Sequence, residues 1–321
     1  MKRRATGSGE EARGAGATPP PARRRAGAMD RLLASEHLAG WGFVSPAVIL
    51  IALFGVVPIV WSVVLSFQRN NLMTPGVWIG LANYRRLMQD PLFTQSIRQT
   101  IVYTALFVPI TIAGSLAIAV ALNRKLIAIR LYRTAVFAPV VTSTVATAVI
   151  FLWLLDPDFG IVNAMLHHFG AAPQQFFQST SQALFCIVAM TVWGWLGFGV
   201  IIYLAALQGV PRELLEAAEI DGATRWRAFR RVQLPLLGPT TLFLIVWLSI
   251  NALQLFDEIY VTTRGGPLHA TTVVVYYLYT QAFNYFHAGY ATAIAYVLFL
   301  GILVLTIVEL LVGRRTVHYR S

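Results

Sequence analysis

At 321 residues the chain has room for one or two soluble domains, yet 57% of it is hydrophobic and only 12% is charged. An ordinary soluble domain carries about 25% charged residues, and so few cannot cover a water-facing surface, whereas a lipid-facing surface does not need them. The formal net charge of +11 raises nucleic-acid binding as a reading, but the arginines stand between apolar runs rather than among exposed aromatics, so they read as a topology signal and no nucleic-acid partner is expected.

Residues 1–36 are rich in Ala, Gly, Pro and Arg, with Pro19-Pro20-Pro21 and Arg23-Arg24-Arg25 and no apolar period. This segment reads as a disordered basic tail. It is not the core of a secretory signal, because the first apolar run opens only near Trp41 and continues well past the roughly 7–15 residues of such a core. A membrane domain is expected over 37–316, followed by a short tail at 317–321.

Crossing a bilayer takes about 20 consecutive apolar residues. Six stretches qualify, at 41–67, 97–122, 131–155, 183–208, 234–256 and 290–312. Pro46, Pro58, Pro109 and Pro139 fall inside them, which membrane helices tolerate because neighbours satisfy the freed backbone groups. A further stretch at 271–286 is interrupted by Gln281 and Asn284 and is too short to cross; it reads as an extracytoplasmic or re-entrant element. The expected fold is an all-α membrane protein with six transmembrane helices and a cytoplasmic helix between the fourth and fifth.

Lys and Arg orient the spans. The N-terminal tail is rich in them; Arg124, Lys125, Arg130 and Arg133 follow the second span; Arg212, Arg225, Arg227, Arg230 and Arg231 follow the fourth; Arg314, Arg315 and Arg320 follow the last. The alternate segments are poorer, with Arg69, Arg85, Arg86 and Arg98 around the first, none in the second and Arg264 alone in the third. The rich segments share one side, which places both termini in the cytoplasm.

Ionisable residues are nearly absent from the apolar runs. Glu309 stands near the end of the last span, and Asp257 and Glu258 at the outer edge of the fifth. A charge at mid-membrane costs about 2.5–3.5 kcal/mol and normally marks an ion site, so an ion-coupled transporter is disfavoured. The two lysines, Lys2 and Lys125, do not follow a glycine, which rules out a P-loop for ATP. None of the six histidines starts a zinc-helix pattern, His167-His168 reads as a solvated pair, and Cys186 is the sole cysteine, so neither an intrachain disulfide nor a cysteine-based metal cluster is available. No catalytic residue, metal ligand or cofactor is expected in this chain.

The connection at 209–235 is the most informative segment. Gly209-Val210-Pro211 ends the fourth span and opens a helix with Leu214, Leu215 and Ala218 on one side; Asp221-Gly222 interrupts it, and helix resumes over 223–231. Glu213 and Glu216 stand early and four arginines late, in accord with the helix dipole. Such an amphipathic helix either rests on headgroups or docks a cytosolic partner, with Ala217 and Ala218 allowing close approach and Glu216 and Asp221 as polar anchors.

The run Glu216-Ala217-Ala218, three residues, Gly222, nine residues, Val232, one residue, Leu234-Pro235 resembles the EAA loop of the permeases of ATP-binding-cassette (ABC) importers, departing from that pattern only by Val for Ile. Ile79-Gly80-Leu81-Ala82-Asn83-Tyr84, Asp90-Pro91, Thr263-Arg264-Gly265-Gly266-Pro267 and Thr271-Thr272 resemble the carbohydrate branch of those permeases, of the first-permease type. The resemblance implies a sugar or oligosaccharide importer in a bacterial plasma (inner) membrane. It also implies a second six-span permease, a cytosolic ATPase dimer holding ATP and Mg, and an extracytoplasmic solute-binding protein. Glu216, Ala217, Ala218, Asp221, Gly222, Leu234 and Pro235 would couple to the ATPase. For the substrate pathway, Thr191, Trp195 and Phe198 share one face of the fourth span, and Asn251 and Gln254 one face of the fifth; packing between helices is the competing reading of each. A glycerol-phosphate importer is the alternative, although an anion's pathway calls for cationic groups in mid-span, and an ion-coupled transporter stands behind it.

Overall fold

The computed structural model describes residues 36–124 and 127–316, so residues 1–35 of the expected 1–36 tail, the tail at 317–321 and Lys125 lie outside the described residues, while Glu36 opens a helix. The chain divides into two units, one ending at Ile59 and the other starting at Val60. In the first unit the helix Glu36–Ile51 passes into a single π-helical turn, Ala52–Val56, where the Val57 N–H donates to the Ala52 carbonyl. Pro58 follows directly and lacks an N–H, and re-registering the ladder by one residue in the turn before it is a usual way to absorb that loss. No side chain described in this unit is buried, a surface that suits lipid.

The second unit holds the rest. Among the described residues of the chain, five helices are long and apolar enough to cross a membrane: Gly40–Ser66, Pro91–Leu122, Ala183–Gln208, Gly238–Val261 and Ala288–Gly313. The third expected span is not one straight helix. Ile129–Val141 and Thr144–Leu154 meet at 103°, because Pro139 opens a 3-10 turn, Ala138–Val141, and Thr142 and Ser143 are extended with ψ of 137° and 135°. Counting that pair as one gives six spans. The stretch at 271–286 forms only a short helix, Val274–Tyr279, with a π-helical turn, Thr280–Asn284.

The second and fourth spans pack along their length, drawn together by small residues. The Ser115 hydroxyl donates to the Leu196 carbonyl at 3.0 Å, and a Cβ on Gly199 would run into the Ser115 side chain. A Cβ on Gly197 would meet the backbone carbonyl of Val136 on the third span. Close approach at small residues is how spans associate where lipid offers no hydrophobic drive. One core cluster, including Tyr103, Phe107, Ile187, Leu248 and Ile259, joins the second, fourth and fifth spans; another, including Ala119, Tyr203, Leu207, Leu237 and Leu244, joins them nearer the 209–235 connection.

Most hydroxyls within the spans bond to their own helix. Thr100 donates to the Ser96 carbonyl at 2.8 Å, Thr104 to Thr100 at 2.8 Å, Thr191 to Ile187 at 2.9 Å and Thr241 to Leu237 at 3.0 Å. Besides Ser115, cross-span pairs in the second unit include Tyr203 Oη donating to Thr241 Oγ1 at 3.0 Å, Ser62 with Tyr296 at 2.7 Å, Tyr103 with Thr191, and Glu309 with Ser249.

Asp90 anchors the opposite end of the molecule from that connection. One carboxylate oxygen accepts from the N–H groups of Leu92 and Phe93 at 2.9 and 3.2 Å, capping the second span, with Pro91 suited to its first turn. The other accepts the hydroxyls of Tyr277 and Tyr290, each at 2.6 Å. Burial works to raise the carboxyl's pKa, but the two tyrosine and two backbone hydrogen bonds outweigh it and hold Asp90 below the ordinary aspartate range.

Candidate functional site: the 209–235 loop and a mid-span cavity

The helix Arg212–Ile220 starts after Pro211 with Glu213 in its first turn. It stops in a Schellman arrangement: the Ala223 N–H donates to the Ala218 carbonyl at 2.9 Å and the Gly222 N–H to that of Glu219 at 3.0 Å, with Gly222 at φ +75°. Thr224 then caps the next short helix, Arg225–Ala228, accepting from the Arg227 N–H at 3.4 Å. A π-helical turn, Phe229–Gln233, leads into Leu234–Leu236 and on to the fifth span.

Glu216, Ala217, Asp221, Gly222, Leu234 and Pro235 are exposed and Ala218 is half-buried, while Leu214 and Leu215 turn partly inward. Ile220 and Trp226, not singled out from sequence, are 87% and 68% exposed, a large apolar surface on a polar loop. Their signal in the sequence is two bulky apolar residues on either side of a helix break. Behind the loop lies a cavity of about 730 Å³ lined by Ala117, Asn123, Leu215, Glu219, Trp226 and Gln233 among others.

Three of the five expected pathway residues come together. Thr191, Trp195 and Phe198 line a cavity of about 300 Å³ with Thr147 from the bent third span and Trp247 and Glu258 from the fifth. Trp195 meets Phe198 edge-on at 5.8 Å and Phe198 stacks with Trp247 at 6.0 Å. The hydroxyl of Thr191 donates to the Ile187 and Val188 carbonyls and also meets Tyr103. Asn251 and Gln254 do not line this cavity; the Asn251 amide donates to the Trp247 carbonyl at 2.8 Å. Trp247 lies one turn before Asn251, so the face chosen from sequence is continued by a residue the polar stripe did not draw in. No cluster of His, Cys, Asp or Glu able to hold a metal occurs among the described residues.

The signature residues of the other loops form scaffolding. The Asn83 amide donates to the Ser66 and Gln68 carbonyls at 2.8 and 2.9 Å, and Tyr84 Oη to Ser66 Oγ at 2.9 Å. Thr271 Oγ1 donates to the Gly266 carbonyl at 2.8 Å and Thr272 Oγ1 to Gly265 at 3.0 Å.

Residues 90–317 match the family described as binding-protein-dependent transport system inner membrane component. The chain is 34% identical over 296 residues to the probable ABC transporter permease protein YesP of Bacillus subtilis, covering 91% of this chain and 95% of that one. It is 36% identical over 281 residues to the lactose transport system permease protein LacF of Rhizobium radiobacter, covering 86% and 94%. Its fold is similar to that in a crystal structure of a bacterial alginate ABC transporter, with a TM-score of 0.78, 24% identity, and coverage of 86% of this chain and 94% of that one.

Proposed function

Because the chain belongs to the family of binding-protein-dependent transport system inner membrane components, with 71% of its length inside the match (228 of 321 residues, 90–317), we propose that it forms half of the translocation pathway of an ABC importer for a sugar or oligosaccharide. The observation that carries the coupling part is the exposed helix Arg212–Ile220, closed by Gly222 and presenting Glu216, Ala217, Asp221 and Ile220. It serves as a knob for a groove on a cytosolic ATPase dimer, which holds ATP and Mg; this chain is not itself catalytic. A second permease completes the pathway, an extracytoplasmic binding protein delivers the sugar, and both termini lie in the cytoplasm. Closure of the ATPases on nucleotide biases a two-state rocking of the permeases, and the knob transmits it.

The sugar class rests on the likeness to LacF and on the aromatic character of the mid-span cavity. Sugars are held by flat aromatic faces and a few placed polar groups; Trp195, Phe198 and Trp247 supply the faces, Thr147 and Glu258 the polar groups, with Asn251 and Gln254 further along the same span. The test is affinity purification of the chain from its native membrane with identification of what accompanies it. A second permease, a P-loop ATPase and a solute-binding protein that takes up sugar support the reading; a chain that arrives alone, or with a binding protein that takes no sugar, overturns the coupling part or the sugar part respectively.

A further inference from the structure

On the side away from the 209–235 loop, the strand pair Gln68–Arg69 and Val77–Trp78, the helix Ala82–Gln89 and the start of the last span enclose a cavity of about 480 Å³. We propose that it holds the phosphate of an anionic lipid headgroup, gripped by Arg69 and Arg86.

Position is the first argument. Arg69 stands three residues past Ser66, where the first span ends, and His287 directly precedes Ala288, where the last begins; both line the cavity. Arg86 is held at the same level, its guanidinium 4.4 Å above the ring of Tyr290, the third residue of the last span. Span ends lie at the depth of headgroup phosphates, and Phe286 in the cavity wall and the exposed Trp78 beside it are the aromatic residues such a boundary favours.

Charge is the second. Arg86 has an acidic residue one turn away, Asp90, but its two carboxylate oxygens already accept four hydrogen bonds, and neither arginine makes an ion pair among the described residues. Burial and the Arg86 charge lower the pKa of His287, as a cavity of positive potential requires. Asn70 and Asn71 use their Oδ1 atoms to accept from the turn at 72–74, which leaves their amide nitrogens as further donors. With both termini in the cytoplasm, as proposed above, the arginines of this connection stand on the trans side, where the topology rule disfavours Lys and Arg; a lipid anion offsets that. The cavity is built rather than incidental: the Gly289 N–H donates to the Asn70 carbonyl at 3.1 Å, and a Cβ on Gly289 would strike the Gln68 carbonyl.

The test uses the full chain in its assembled complex, in nanodiscs and by native mass spectrometry during graded delipidation. Phosphatidylglycerol, phosphatidylcholine and inorganic phosphate are compared. An arginine near the membrane surface adds about fivefold to anionic-lipid affinity, so Arg69→Gln and Arg86→Gln should each weaken the last-retained phosphatidylglycerol about fivefold and the double variant about 30-fold. Arg98→Gln, outside the cavity, should change nothing, and phosphatidylcholine should show no dependence on the variants. Arg69→Gln, whose side chain is exposed, stands alone if Arg86→Gln disturbs assembly. Equal retention by wild type and variants overturns the proposal; so does saturation by millimolar inorganic phosphate with no competition from phosphatidylglycerol, which would mark a free-anion site.

Discussion

At Gly222 a backbone angle explains a spacing. Nothing lies within 4 Å of where its Cβ would be, so in this chain the residue is needed for φ +75° and not for lack of room. An alanine there costs about 1–2 kcal/mol, whereas Asn tolerates the left-handed region. We expect Gly222→Ala to reduce sugar-stimulated ATP hydrolysis in the assembled importer and Gly222→Asn to retain most of it; equal loss in both would point to close approach by the ATPase. Asp90 gives a second prediction. Asp90→Ala removes a helix cap worth about 1 kcal/mol and strands the hydroxyls of Tyr277 and Tyr290, so the melting temperature should fall at neutral pH. The folded pKa lies below the ordinary 3.8, so the stability Asp90 contributes is fully present above that value and lost as pH falls through the folded one. The gap between wild type and variant should therefore narrow in strong acid. The fixed spacing from Glu216 to Gly222 was legible in sequence because helix termination is local. The partners of Asp90 were not, since Tyr277 and Tyr290 lie 187 and 200 residues away.

Among the spans, ends were read from hydropathy to within about six residues, the largest gap being at the start of the second, expected at 97 and found at Pro91, and the interruption at 271–286 was visible as polar residues in an apolar run. The 103° bend was not, because Pro46, Pro58 and Pro109 sit inside helices and Pro139 looks the same in sequence. What differs is the segment after it, where Thr142 bonds the Ala138 carbonyl at 3.0 Å and Ser143 supplies the carbonyl that opens the next helix. The fourth span carries glycines of two kinds. Gly197 abuts a backbone carbonyl of the third span, while a Cβ on Gly194 meets nothing within 4 Å although the residue lines the mid-span cavity. Gly197→Leu should therefore collapse thermal stability, measured in detergent, while Gly194→Leu leaves it near wild type and blocks uptake by filling the cavity. Loss of stability in both would remove the distinction.

Across the whole molecule the 209–235 loop and the mid-span cavity lie in separate parts of the chain but share the fifth span, which starts behind Leu234–Leu236 and carries Trp247 and Glu258 to the cavity. Trp247 stacks on Phe198 and on Phe243, so Trp247→Ala should raise the KM for sugar uptake more than it lowers the maximum rate, with ATPase docking unchanged in pull-down. A change in docking instead would assign Trp247 to packing. The sequence pointed to Thr191, Trp195 and Phe198 through helical spacing alone, but which neighbours close the cavity depends on the bend, a tertiary fact.

Hydroxyls that bond their own helix have a mechanical consequence. Each such group carries its partner with it when the helix moves, so the spans slide past one another without leaving a donor stranded in lipid, where each orphan costs several kcal/mol. Among the described residues, the pairs reaching across, such as Ser115 with Leu196 and Tyr203 with Thr241, act as latches. Resistance to relative movement of the spans is then concentrated at those points instead of being spread over the whole helical surface.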